Sequence, residues 1–152
     1  MFFLKSISSA ETQEKFNNKY LCYKTFRQYY KRDVVEIADA GDLGEFIRFT
    51  GRHGSFMIKP EAYSLGVGIR IIDTDRDSDI GKIFADILAG GRAVAEELVR
   101  QDEAMAAYHP ASVNTIRFVT AYNNGRVEYV YALLRMGVNL NQAREDLLRA
   151  CG

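Results

Sequence analysis

Ile80, Ile83, Phe84, Ile87 and Leu88 recur at the three- and four-residue intervals that line one face of a helix. Asp79 stands where a carboxylate can accept that helix's first amides, and Gly90-Gly91 closes its far end. The same spacing predicts a helix after Asp42, with Asp42 and Glu45 as a capping pair and Leu43, Phe46, Ile47 and Phe49 turned inward. Another runs from the caps Asn17 and Asn18 to Tyr30, with Tyr20, Tyr23, Lys24 and Arg27 at helical spacing.

Elsewhere the period shortens to two. Val34 to Ile37, Ser55 to Lys59 and Ile69 to Asp73 read as strands, and Pro60 stops the second of them. A long connection bearing Gly66 and Gly68 joins the last two as a hairpin-like pair. Ala93 to Val99 reads as a strand that turns outward at Glu96 and Glu97. Residues 101–107 form one or two helical turns, which His109-Pro110 breaks. Val113 to Thr120 and Val127 to Arg135 alternate as strands around Asn123-Asn124-Gly125, a tight-turn signal because Asn and Gly tolerate positive φ. Gln142 to Ala150 is amphipathic and helical, and residues 1–16, polar after the first four, form an N-terminal arm. Helices and hairpins mix without strict β-α-β alternation, so the expected fold class is α+β.

Composition narrows the picture. The 152 residues are 47% apolar, with nine Phe and nine Tyr, enough for a core. Twenty basic residues balance twenty acidic ones, so a nucleic-acid partner bound through counterion release is not expected. Cys22 and Cys151 make neither metal spacing nor a disulfide framework, which fits reduced thiols in a cytoplasm, and no apolar run approaches membrane-spanning length. His53 and His109 lack Cys or His neighbours at ligand spacing. The run Asp73 to Asp79 has calcium-loop character, but Ser78 and Phe84 stand where such a loop needs glycine and a bidentate acid.

The strand ending Ile58-Lys59-Pro60 and the loop Ser64-Leu65-Gly66-Val67-Gly68 carry candidate chemistry. A lysine at a strand's mouth keeps its stem buried and its ammonium free, and a glycine loop offers backbone amides to an anion. A lysine snorkelling beside an ordinary hairpin loop has the same local pattern. With Glu96-Glu97-Leu98-Val99, Gln101, His109-Pro110-Ala111-Ser112-Val113-Asn114-Thr115-Ile116-Arg117 and Leu134-Arg135-Met136-Gly137 added, the order and spacing over residues 17–138 resemble the ATP-grasp superfamily. Within it, they are similar to the sugar-transfer-associated, teichuronopeptide-type branch.

That resemblance implies ATP and Mg2+ as ligands, with Lys59 on the α and β phosphates under a loop containing Ser64, Gly66 and Gly68. It places the backbone of Glu96 and Leu98 on adenine, with Glu97 as an alternative of shifted register. Lys24, Lys31 and Arg32 are candidates for a second cation. Arg117 and Arg135 are expected to meet a phosphoryl group or substrate carboxylate; Asn114 and Arg117, three apart, fall on opposite faces of a regular strand. The branch's magnesium-binding pattern does not follow residue 138, so the resemblance implies a partial ATP-grasp domain with a divergent C-terminal helix over 139–152. Two readings remain open. One is the nucleotide-binding part of a cytoplasmic carboxylate–amine ligase linked to cell-surface polysaccharide or peptide assembly. The other is a non-catalytic interaction module that self-associates through an exposed edge.

Overall fold

The computed structural model describes residues 10–61, 67–75 and 77–136, which fall into two units divided between Leu98 and Val99. The first unit begins with α1 (Ala10–Asn17) and α2 (Lys19–Phe26), the latter capped by Asn18, whose side chain accepts from Leu21 N at 2.7 Å. A 3-10 turn, Arg27–Tyr29, leads to β1 (Val34–Ile37). Then come α3 (Leu43–Thr50), β2 (Ser55–Pro60), β3 (Arg70–Asp73), α4 (Ile80–Ala89) and β4 (Ala93–Glu97).

The four strands lie in the order β1-β4-β2-β3, every neighbouring pair antiparallel. α3 and α4 therefore each connect two parallel strands that are separated by a third, giving two interleaved split β-α-β crossovers. Strand alternation sends Val35, Ile37, Phe56, Ile58, Ala93 and Ala95 to one face, where they pack with Phe46 and Phe49 of α3 and Phe84 and Ile87 of α4. Aromatic edges organise this core: Phe46 meets Phe56 at 5.6 Å and Phe84 at 5.5 Å between ring centroids.

Two expectations about α3 are corrected. Asp42 does not cap it; its carboxylate accepts from Ala38 N (2.8 Å) and Asp39 N (3.2 Å), completing a capping box with Asp39 around the 3-10 turn Ala40–Asp42. The turn tightens the entry and takes the acid that a plain α-helical start would have used. Ile47 points outward at 49% exposure, because a face centred on Phe46 and Phe49 leaves the residue between them on the solvent side.

The far end of α3 is tied to the start of β1. The Asp33 carboxylate lies 2.9 Å from His53 Nε2 and accepts from Arg52 Nε (3.1 Å) and Nη2 (2.9 Å). The His53 contact and the Arg52 bonds hold this carboxyl below the usual aspartate range. A depressed folded value stabilises the fold fully above the unfolded pKa of about 3.9, and the gain is lost as pH falls through the folded value. With the Asp33 side chain 46% exposed, screening keeps the effect small. Asp33→Asn is expected to cost about 0.5–1 kcal/mol at neutral pH. Urea midpoints of the two proteins should differ at neutral pH and converge in acid; a gap that stays constant into acid would contradict the assignment.

The second unit contains α5 (Glu103–Ala106), capped by Asp102, and a two-stranded antiparallel sheet of β5 (Thr115–Asn123) and β6 (Arg126–Arg135). The expected turn is present, with Asn124 at φ 49° and Gly125 at φ 80°. A register shift at Val119/Thr120 marks a bulge on β6. The expected helix over 142–150 and the segment 139–152 lie outside the described residues.

Candidate functional site

Alternation puts Val34 and Glu36 of β1, Met57 and Lys59 of β2, and Val94 and Glu96 of β4 on the sheet face turned away from α3 and α4. Register pairs Lys59 with Val94 and Glu96 with Met57, which makes Lys59 and Glu96 diagonal neighbours. Lys59 Nζ donates to Glu96 Oε2 at 2.6 Å, and Arg32 Nη2 lies 3.6 Å from the same oxygen. Side-chain exposure is 22% for Lys59 and 11% for Glu96, so this pair is largely withdrawn from water. Two cations on one carboxylate leave the cluster with an excess positive charge, which suits an anion.

The acidic pair does not turn outward. Both glutamates lie within β4, and partners explain it: Glu96 is buried against the two cations, while Glu97 Oε2 accepts from Asp33 N at 3.1 Å. Glu97 also donates its backbone N–H to Asp33 O at 3.0 Å, so it braces the entry to β1. Leu98 follows the strand and is half-buried.

Of the three upstream cations, Arg32 is the one beside Lys59. Lys24 Nζ instead lies over the Tyr20 ring, 5.6 Å from its centroid, and lines a cavity of about 180 Å3 with Tyr23, Arg27, Glu45 and Arg52. Neither Lys59, Arg32 nor Glu96 lines that cavity. Lys31 is exposed. Ser64 and Gly66 lie outside the described residues; Gly68 is described, at φ 72°, a conformation that favours glycine.

Two cations missed in the sequence close the end of this sheet. Lys19 Nζ donates to the carbonyls of Pro60 (2.7 Å) and Glu61 (3.2 Å). Arg92 bridges Glu36 (2.6 Å) and Glu61 (2.9 Å), and these contacts, Glu61 foremost, raise its pKa. No spacing rule relates such distant positions, so no local signal marked either residue.

In the second unit, Arg135 pairs with Thr115 and Arg117 with Leu133, placing both arginines on one face of the hairpin as diagonal neighbours. Both are exposed, and neither forms an ion pair among the described residues. Asn114 sits just before β5 and does not share that face. Its backbone N–H donates to Gln101 Oε1, and its side-chain amide donates to Met105 O (2.7 Å) and His109 O (3.2 Å). Ser112 Oγ lies 2.9 Å from His109 Nδ1. The Gln101 to Thr115 stretch is thus a braced loop that launches β5 with Arg117 on its exposed side.

Among the described residues no group of three or more His, Cys, Asp or Glu could hold a metal ion. The acids of the 73–79 run serve other ends. Asp73 accepts from Ser55 Oγ (2.6 Å), Asp75 accepts from Ser78 Oγ (2.8 Å) and Asp77 N (3.1 Å), and Asp79 caps α4 through Lys82 N (2.9 Å).

Comparison with known proteins places this geometry. D-alanyl-alanine synthetase A from Vibrio cholerae O1 biovar eltor str. N16961 has a similar fold, with a TM-score of 0.57 at 10% identity over 84% of this chain. The split crossovers followed by an antiparallel hairpin are a partial ATP-grasp fold, and the chain spans 36% of that synthetase's length. No curated protein matches. The model of the Sugar-transfer associated ATP-grasp family matches residues 16–149, and the chain belongs to that family. Among the described residues no helix is long and apolar enough to cross a membrane.

Proposed function

We propose that the chain binds ATP on the sheet face that carries Lys59, as the nucleotide-binding part of a carboxylate–amine ligase. The observation that supports it is the Lys59–Glu96–Arg32 cluster, withdrawn from water and positively charged on balance. In this reading Lys59 meets the α and β phosphates and Arg32 is the second cation. The backbone from Glu96 to Leu98 hydrogen-bonds adenine, and the loop with Ser64, Gly66 and Gly68 covers the phosphates. Arg117 and Arg135, which no described carboxylate neutralises, receive a phosphoryl group or a substrate carboxylate.

The reaction class is phosphoryl transfer followed by amide formation. A substrate carboxylate attacks the γ-phosphorus, ADP leaves, and an amine displaces phosphate from the resulting acyl phosphate. ATP-grasp proteins as a class bind ATP with Mg2+, which offsets charge on the phosphates when bound. In this reading the part of Lys59 and Arg32 is to bind and orient the phosphates. In this proposal the substrate belongs to cell-surface polysaccharide or peptide assembly in the cytoplasm; the family's description supports it only as far as an association with sugar transfer.

The test is a thermal shift with Mg-ATP. Wild type should be stabilised in proportion to the logarithm of ligand concentration. Lys59→Ala should weaken binding by about ten- to a hundredfold, the usual worth of a charged hydrogen bond, while Lys24→Ala should retain the shift. A wild-type protein without any shift would sink the proposal. A second reading, an interaction module that self-associates, draws on the β5–β6 hairpin, whose Phe118 (65%), Tyr122 (75%) and Tyr129 (64%) are exposed. Light scattering that finds a monomer at high concentration would exclude it.

A further inference from the structure

We infer that Glu96 is a placeholder for phosphate: its carboxylate holds Lys59 and Arg32 in position, and an incoming phosphate must displace it from them. The inference rests on the nucleotide reading of this face and reverses the sign that a buried acid beside a binding lysine would ordinarily suggest.

Three observations carry it. First, both cations converge on a single oxygen, Oε2, at 2.6 Å and 3.6 Å. An anion that draws both groups to itself competes with that oxygen for them. Second, Glu96 sits in the central strand β4, flanked in register by Val34 and Met57. Among the described residues no backbone amide or hydroxyl donates to its carboxylate, and the two cations supply its compensation. Third, Glu97, next along the strand, has a brace of its own in the Asp33 amide. The two acids therefore divide roles, and only Glu96 is held by groups that a nucleotide can claim.

The physical consequence is competition. A cation desolvated on its own is costly, so Glu96 keeps Lys59 aimed across the sheet face in place of bulk water. When a polyphosphate takes over Lys59 and Arg32, the displaced carboxylate becomes a like charge close to the phosphates. Glu96 thus favours an ordered ammonium and disfavours the bound polyanion. Removing its charge, while keeping an amide that can accept from Lys59, releases the second effect and retains most of the first.

The experiment is titration calorimetry on the full chain with inorganic tripolyphosphate, ATP and adenosine, using wild type, Glu96→Gln and Lys59→Ala. Glu96→Gln should bind tripolyphosphate and ATP about three- to tenfold more tightly than wild type, as expected from removing one nearby partly screened charge, with adenosine unchanged. Equal or weaker tripolyphosphate binding by Glu96→Gln, where wild type binds ATP and Lys59→Ala does not, overturns the placeholder and leaves the nucleotide reading standing. If wild type binds no ATP and Lys59→Ala behaves identically, the nucleotide reading fails and takes the placeholder with it. Should Glu96→Gln not fold, the wild-type Glu96 carboxyl carbon resonance answers instead. It should move on adding tripolyphosphate and not on adding adenosine; a resonance that stays fixed while Lys59 responds overturns the proposal.

Discussion

Phe46→Ala is expected to destabilise the sheet-bearing unit by about 3–5 kcal/mol, the cost of emptying an aromatic site that cannot collapse. Phe46 has 0% exposure and holds the junction of three layers of contact: its own helix α3, the β2 ring of Phe56 and the α4 ring of Phe84. Phe49, on the same helix, meets Phe56 edge-to-face at 5.5 Å, so the neighbours of Phe46 are themselves locked and have little freedom to move into the void. Against a typical domain stability of about 5–15 kcal/mol, such a loss leaves much of the unit unfolded at modest urea. Urea unfolding followed by far-ultraviolet circular dichroism checks it, with Ile47→Ala as the internal control. Ile47 is one residue away but points outward, and its truncation should change stability by about 0.5 kcal/mol or less. Comparable losses in both variants would mean that α3 is rotated from the orientation described. Because α3 packs behind β1 and, through Phe56, behind β2, a loosened core should also loosen the face that carries Lys59.

How much of this was legible in the sequence depends on the range of the signal. The α4 stripe and its Asp79 cap, the β1 segment and the Asn124-Gly125 turn are written in neighbouring residues, and each lies where periodicity and turn chemistry put it. Strand order is not local. Nothing between Asp73 and Ala93 says that β4 inserts between β1 and β2, yet that insertion brings Glu96 to Lys59 across 37 positions. Without it, two adjacent glutamates at a strand end look solvated; with it, one is buried because cations from elsewhere neutralise it. Lys24, Lys31 and Arg32 could not be told apart in the sequence for the same reason. Helical spacing records which residues share a face of α2, whereas reaching Glu96 depends on where the chain leaves the helix for β1. Lys59 itself was singled out by a local pattern, an apolar strand ending in lysine, but its carboxylate partner was not.

Asn114→Ala should cost about 2 kcal/mol in the second unit, since two half-buried carbonyls lose their donor at once. The Asn114 amide joins Met105 O and His109 O, and its own backbone N–H is received by Gln101, so one side chain and one amide close a loop of partners 5 to 13 residues away. That range matches neither a helical nor a strand period, which is why the residue reads in sequence as a strand position when it is a loop brace. Asn114→Asp should be worse than Ala: a carboxylate would aim acceptors at two carbonyl oxygens while 5% exposed, adding a buried charge to the lost bonds. Gln101→Ala removes one acceptor and should cost about 1 kcal/mol. Amide hydrogen exchange of Thr115 to Val119 reports on the unit without needing a two-state transition of the whole chain. The order Asp worse than Ala, and Ala worse than Gln101→Ala, distinguishes a hydrogen-bonded brace from mere space-filling, for which the nearly isosteric Asp would be the mildest of the three. If β5 loses protection in that order, Arg117 is presented by a loop built around Asn114, and the two residues that a strand rule sets on opposite faces act at successive steps of one construction.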